Sequence, residues 1–139
     1  MSKDYTIIMV DDEAGIKEIF SFFVEKLQEN SSVNIDFKFF QDPRACLDFF
    51  NESHEKIASE KVFVISDINM PDTNGIDFMK EVISKYPFIN PIFCTAYSSS
   101  SFQKVCYEMG AFDFYSKPID YEVLLRKIIE MDGITSSVA

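Results

Sequence analysis

Four apolar runs in this 139-residue chain break onto side chains able to do chemistry. Tyr5-Thr-Ile-Ile-Met-Val10 runs into Asp11-Asp12-Glu13, and Val62-Phe-Val-Ile-Ser66 runs onto Asp67. Ile92-Phe-Cys94 ends at Thr95, and Ala111-Phe-Asp-Phe-Tyr115 leads into Ser116-Lys117-Pro118. Three consecutive carboxylates after an apolar run are electrostatically costly unless something cationic collects there. On that stretch alone they would equally suit a solvated turn before a helix N-terminus, where negative charge is favoured. Together with Asp67 and a backbone carbonyl they make a hard-oxygen set suited to Mg²⁺, which takes few protein ligands and keeps waters. An aspartate can also be a nucleophile that carries a covalent group. A dianionic phosphoryl group beside carboxylates needs cations, and a metal plus the Lys117 ammonium would provide them. Phosphoryl transfer is largely positioning and charge neutralisation, so these residue types would suffice for it.

The elements that must position these residues follow from periodicity. Short apolar runs bounded by turn residues read as strands buried on both faces, at residues 5–10, 62–67, 92–94 and 111–115. Residues 33–39 alternate apolar and polar side chains, which suits an edge strand. Residues 14–28 place Ile16, Ile19, Phe20, Phe23, Val24 and Leu27 at helical spacing. Asp42 and Pro43 supply an N-cap and a proline in the first turn of a second helix, which carries Cys46, Leu47, Phe49 and Phe50 and fades near Ser53. A polar loop is expected over residues 52–61, and a loop of turn formers from Met70 to Gly75. A third helix carries Ile76, Met79, Val82, Ile83 and Tyr86. A fourth, residues 98–109, carries Phe102, Val105, Cys106 and Met109 and closes at Gly110. A last helix, residues 120–131, carries Leu124, Leu125, Ile128 and Ile129 and stops at Gly133.

Five strands alternating with five helices specify an α/β fold: a five-stranded parallel sheet, doubly wound as (βα)5, with helices on both faces. Ligands bind such sheets at the carboxyl ends of the strands. That rule gathers Asp11, Asp12, Asp67, Thr95 and Lys117 at one edge. The length predicts a single domain over residues 1–139, with its core in 5–131 and a short tail in 132–139.

Composition narrows the function classes. Thirteen Lys plus Arg against 23 Asp plus Glu leave a formal charge of −10. Nucleic acids and anionic membranes want a basic footprint, so neither is an expected partner. No apolar run approaches the roughly 20 residues of a membrane span, and the first residues lack signal-peptide features. A cytoplasmic location is the expectation. Cys46, Cys94 and Cys106 are scattered in apolar surroundings and read as buried free thiols. The single His54, in a polar stretch, reads as a solvated loop residue, and zinc is not expected.

At the strand ends, Asp11-Asp12-Glu13, Ser66-Asp67-Ile68-Asn69-Met70-Pro71 with Gly75, Thr95-Ala96 and Ser116-Lys117-Pro118 together resemble the signature of the bacterial response-regulator receiver domain. The resemblance covers residues 5–131. It implies a flavodoxin-like three-layer sandwich and a stand-alone phosphoacceptor of two-component or phosphorelay signalling. Asp67 would be the phosphoacceptor. Asp12 would bind Mg²⁺ (or Mn²⁺) directly, Asp11 through metal-bound water, and the backbone carbonyl of Asn69 would be a further ligand. Lys117 would pair with phosphoryl oxygens and Thr95 would hydrogen-bond one of them. Pro71 and Gly75 would shape the loop after Asp67, and Pro118 matches a proline preceded by a cis peptide bond. The donor would be a phosphohistidine on a histidine kinase or histidine phosphotransfer protein.

The same resemblance implies a switch. Phosphorylation would draw Thr95 inward and let an aromatic on the fifth strand swing in. The surface of the fourth helix, fifth strand and fifth helix would then engage a downstream protein target, as a monomer or a weak phosphorylation-dependent dimer. The switch position is Phe114, where the family often has tyrosine. Tyr97 and Asn69 would flank the route of the hydrolytic water, with a bulky Tyr97 slowing loss of the phosphoryl group. The domain would catalyse only its own phosphorylation and dephosphorylation and is not expected to be an enzyme otherwise. Two rival readings fit less well. An aspartyl-nucleophile phosphatase acting on an external substrate would carry Asp-x-Asp after the first strand and a cap-sized insertion. A flavin-binding module would carry a Thr/Ser/Gly-rich phosphate loop there. Asp11-Asp12-Glu13 is neither.

Overall fold

The protein is described from a computed structural model, covering residues 3–58, 61–70, 74–97 and 100–138, with residues 3, 4 and 131–138 described by their backbone alone. Strand β1 (Lys3–Val10) is followed by α1 (Gly15–Glu29), β2 (Val33–Phe40) and α2 (Pro43–Ile57). Then come β3 (Lys61–Asp67), α3 (Gly75–Lys85), β4 (Asn90–Thr95), α4 (Ser100–Glu108), β5 (Asp113–Ser116) and α5 (Tyr121–Val138). The strands form one parallel sheet in the order β2-β1-β3-β4-β5. This is the doubly wound (βα)5 architecture, with β2 at the edge that its alternating pattern predicts.

The two faces of the sheet bury two separate clusters. Ile8, Val10, Val62, Val64 and Phe93 pack with Phe50 of α2, Met79 and Val82 of α3, and Cys106 of α4. Ile7, Met9, Phe63, Ile65 and Cys94 face the other way, onto Phe20 and Val24 of α1 and Leu124, Leu125 and Ile128 of α5. Adjacent residues of β1 and β3 therefore feed opposite clusters, as strand periodicity requires. All three cysteines are free and buried. Burial pushes the Cys46 thiol up to about 12 and the Cys106 thiol to about 11, so neither is an activated nucleophile.

Several local expectations need correction. The second helix continues past Ser53 to Ile57, because Glu52, Glu55 and Lys56 are good helix formers and Ile57, seven residues after Phe50, is buried. His54 is consequently a half-buried helical residue rather than a loop residue. Its Nδ1–H donates to the Phe50 carbonyl (3.0 Å), and its ring lies 5.4 Å from that of Tyr86. In α4, Cys106 faces the core but Phe102 and Val105 are 38% and 39% exposed. This nine-residue helix has too little sheet beneath it to cover its whole apolar stripe. Ile19 of α1 is likewise half exposed. β5 begins at Asp113, leaving Ala111 and Phe112 outside it, although the Phe112 N–H still donates to the Pro91 carbonyl (2.7 Å). Helix α5 passes through Gly133 to Val138, so residues 132–138 extend the last helix and Gly133 does not stop it. Glycine costs a helix interior only about 1 kcal/mol relative to alanine, too little to compel a stop. At Gly110, φ of +93° places the residue after α4 in the left-handed region, as its capping role predicts.

Candidate functional site

The site is built where strands β1, β3, β4 and β5 end. Strand order puts Asp11 and Asp67 side by side, since β1 and β3 are hydrogen-bonded neighbours. Asp11 lies just past β1, with its N–H on the Phe40 carbonyl (3.1 Å), and is 1% exposed. Its Oδ1 accepts the Glu13 N–H at 2.9 Å. Asp67, the last residue of β3, is 5% exposed, and its Oδ1 accepts the Asn69 N–H at 3.0 Å. Each carboxylate thus spends one oxygen on the backbone two residues ahead. That geometry fixes the side chain and aims the second oxygen into the shared space.

Lys117 fills part of that space. Its Nζ donates to Asp11 Oδ2 at 3.1 Å and to Asp67 Oδ2 at 2.9 Å. The Lys117 N–H donates to the Thr95 carbonyl (2.8 Å), which anchors the residue to β4 as its side chain reaches past that strand to β3 and β1. The following Lys117–Pro118 peptide is cis. Burial would lower the Lys117 pKa, but hydrogen bonds to Asp67 and Asp11 outweigh it and hold the ammonium above its usual range. For Asp11 the balance is reversed. Burial raises its pKa, and the Glu13 N–H and Lys117 only partly counter that.

Asp12 is exposed, yet oxygens of Asp11, Asp12 and Asp67 all lie within 4.8 Å of one another. Three carboxylates against one ammonium leave two negative charges uncompensated, a donor set of hard oxygens that fits a divalent cation such as Mg²⁺. The fit rests on this chemistry and charge count.

Thr95 completes the edge, fully buried at the end of β4. Its hydroxyl donates to Asn69 Oδ1 at 2.7 Å and accepts the Tyr97 N–H at 3.0 Å. The Tyr97 ring itself is 68% exposed. Gly75, the first residue of α3, shows why this loop demands glycine. A Cβ there would overlap the Asp67 carbonyl oxygen and lie 2.7 Å from Ile68 Cα. The Gly75 N–H donates to the Ile68 carbonyl at 3.0 Å, so the helix start is held directly against the backbone that carries Asp67. Asn74 caps that helix by accepting the Ile76 N–H at 2.8 Å. Pro71 lies outside the described residues. Phe114, half-buried, packs against the cluster shared by α2, α3 and α4, whereas Tyr115 packs on the opposite cluster.

The structure therefore brings Asp11, Asp12, Asp67, Asn69, Thr95 and Lys117 together, and sets Phe114 on the neighbouring strand. Two features escaped the sequence reading. One is the side-chain bond between Asn69 and Thr95. The other is Asp113, 5% exposed, whose Oδ1 accepts the Phe114 N–H (2.9 Å) and the Tyr107 hydroxyl (3.2 Å). Lys127 Nζ lies 2.7 Å from the second oxygen, a close ion pair without hydrogen-bond alignment. An aspartate inside the apolar run 111–115 was the available signal for it.

Comparisons with known proteins identify the family and the fold. Residues 7–129 match the response regulator receiver domain family. The transcriptional regulatory protein CssR of Bacillus subtilis (strain 168) is 31% identical over 124 residues, covering 88% of this chain and 49% of CssR. The DNA-binding transcriptional regulator NtrC of Escherichia coli (strain K12) is 35% identical over 80 residues, 55% of this chain and 17% of that protein. The chain thus spans half or less of the length of these curated relatives. Among solved structures, a response regulator receiver domain protein from Clostridium thermocellum superposes with a TM-score of 0.76 at 21% identity, covering 97% of this chain and 99% of that one. Chemotaxis protein CheY4 of Vibrio cholerae gives 0.70 at 24% identity, covering 91% and 97%. At such identities the structural likeness establishes the fold alone. Fold, strand-end residues and the match over residues 7–129 converge: the chain belongs to the response regulator receiver domain family of two-component signalling.

Proposed function

We propose that this domain takes a phosphoryl group from a phosphohistidine onto Asp67 and uses the modified state to control a protein partner. The observation that carries the reading is the shared Lys117 ammonium, 3.1 Å from Asp11 and 2.9 Å from Asp67 in a site with excess negative charge. In this reading an Asp67 carboxylate oxygen attacks phosphorus. The P–N bond breaks, and its electron pair returns to the imidazole nitrogen of the donor. Lys117 exchanges its contact with Asp67 Oδ2 for a phosphoryl oxygen without leaving Asp11. Thr95 offers its hydroxyl proton to a second phosphoryl oxygen. Asp11, Asp12, Asp67 and the Asn69 carbonyl would hold Mg²⁺, which would supply the remaining charge neutralisation.

The charge-assisted hydrogen bonds gained by Thr95 and Lys117 would be the bias on a two-state element. Phe114 follows Asp113 on β5 and could respond by burying further, changing the face made by α4, β5 and α5. Phenylalanine can bury but cannot donate a hydrogen bond, so packing alone would drive its part of the switch. The donor would be a histidine kinase or histidine phosphotransfer protein, and the output a protein contact. Among the described residues no helix is long and apolar enough to cross a membrane.

The test is incubation with Mg²⁺ and a small-molecule phosphodonor, read by intact mass. Wild type should gain one phosphoryl group and Asp67→Asn none. Equal labelling of both would overturn the assignment.

A further inference from the structure

We propose that the Asn69 side chain is a latch on Thr95, so that phosphoryl capture at Asp67 must first break the Asn69–Thr95 hydrogen bond. The inference rests on the Asp67 reading above and adds a positioning residue to it.

A threonine hydroxyl has one proton to give. In this protein two acceptors lie within reach: Asn69 Oδ1 at 2.7 Å and the Tyr97 carbonyl at 3.2 Å. The first distance is the usual one for an O–H···O bond and the second exceeds it, so the proton belongs to Asn69. The Tyr97 N–H, at 3.0 Å, donates to the same hydroxyl oxygen. The hydroxyl is therefore engaged as donor and as acceptor before any phosphoryl group arrives. A phosphoryl oxygen offers it an ionised acceptor, stronger than a neutral amide. It gains only the difference between the two bonds.

Asn69 is well placed for this role because it touches both ends of the reaction. Its backbone N–H holds Asp67 Oδ1 at 3.0 Å while its side chain holds Thr95. The residue also closes the loop after β3 by bridging to Asn74, which caps α3. Its side chain is exposed, so shortening it leaves the core untouched. Removing the amide frees the Thr95 proton, with only the long contact to Tyr97 as an alternative.

The probe is beryllofluoride with Mg²⁺, a tetrahedral mimic of an aspartyl phosphoryl group, titrated by calorimetry into wild type, Asn69→Ala, Thr95→Ala and the double variant. Asn69→Ala should bind roughly three- to tenfold more tightly than wild type, the range one neutral hydrogen bond supports. In the Thr95→Ala background the same change should alter affinity by less than about twofold, because the proton in question is gone. In the free protein, three-bond couplings should report one fixed Thr95 χ1 rotamer in wild type and averaging in Asn69→Ala. Asn69→Asp, which restores an acceptor oxygen, should restore the fixed rotamer. Binding by wild type with no gain in Asn69→Ala, or an equal gain without Thr95, overturns the latch alone. Failure of all four proteins to bind overturns the Asp67 reading and the latch with it.

Discussion

Two aspartate–lysine arrangements in this domain, each built on a buried carboxylate, look alike and are built to opposite ends. At the strand ends, Lys117 serves two carboxylates, those of Asp11 and Asp67, with Asp12 close by. On β5, Asp113 pairs with Lys127 and adds the Phe114 N–H and the Tyr107 hydroxyl. Burial pushes both Asp11 and Asp113 toward protonation. It wins at Asp11, whose pKa is raised, and loses at Asp113, where Lys127 and the backbone bond bring the pKa below the usual 3.8. One carboxylate against one ammonium ties α4, β5 and α5 together with its charge balanced. The unbalanced one sets two nearly inaccessible carboxylates and the exposed Asp12 against a single ammonium, a surplus of negative charge that a folded protein tolerates when a cationic ligand or a charged reactant completes it.

Neutralising the two lysines should separate the arrangements most strongly. Lys117→Met leaves Asp11 and Asp67 facing each other unpaired and should cost about 3 kcal/mol in urea unfolding. Lys127→Met removes a side chain that is 45% exposed and should cost no more than about 1 kcal/mol. Saturating Mg²⁺ should return more stability to Lys117→Met than to wild type, through binding to the folded state alone. Equal costs for the two lysines would mean that the two arrangements do not differ in charge balance.

The next effect concerns acid. A carboxylate whose folded pKa is depressed contributes stability above its unfolded value and loses it as pH falls through the folded one. For Asp113 that loss begins near pH 3.8 and proceeds below it. Asp113→Asn should cost about 1 to 2 kcal/mol at neutral pH and flatten the acid limb of the stability curve in that window. An unchanged acid limb would mean that other carboxylates carry it.

Asp11 should give the smallest effect, with the opposite sign. Its raised pKa means that stability is lost as pH climbs from 3.8 through the folded value, so at neutral pH the ionised group opposes folding. Asp11→Asn keeps an oxygen for the Glu13 N–H and should stabilise the metal-free protein by about 1 kcal/mol. The same change should shrink the melting-temperature gain expected from Mg²⁺ under the proposed function. A loss of stability without metal would show that the ion pair to Lys117 outweighs burial.

Much of this protein is legible in its sequence, because apolar runs and helical stripes are local patterns that set where strands and helices lie. Asp67 could be placed at a strand end because the short, β-branched run from Val62 to Ser66, bounded by turn residues, reads as a buried strand. Gly75, Asp42 and Gly110 could be read because turn and cap chemistry is also local. Where the reading failed, a nonlocal quantity decided. Phe102 and Val105 carry the right spacing for burial, but how much sheet lies under α4 depends on strand order, not on α4. His54 looked solvated because Tyr86, more than thirty residues away, supplies its cover.

By itself, then, the sequence determined the residue types at the strand ends, the parallel α/β class and the family. Only the tertiary structure decided that one lysine is shared by Asp11 and Asp67, that Asn69 holds the Thr95 proton, and that Asp113 pairs with Lys127. The physical reason is register. β1 lies beside β3 and β4 beside both β3 and β5, so partners 50 and 106 residues apart meet within 3.1 Å. No spacing along the chain encodes such distances.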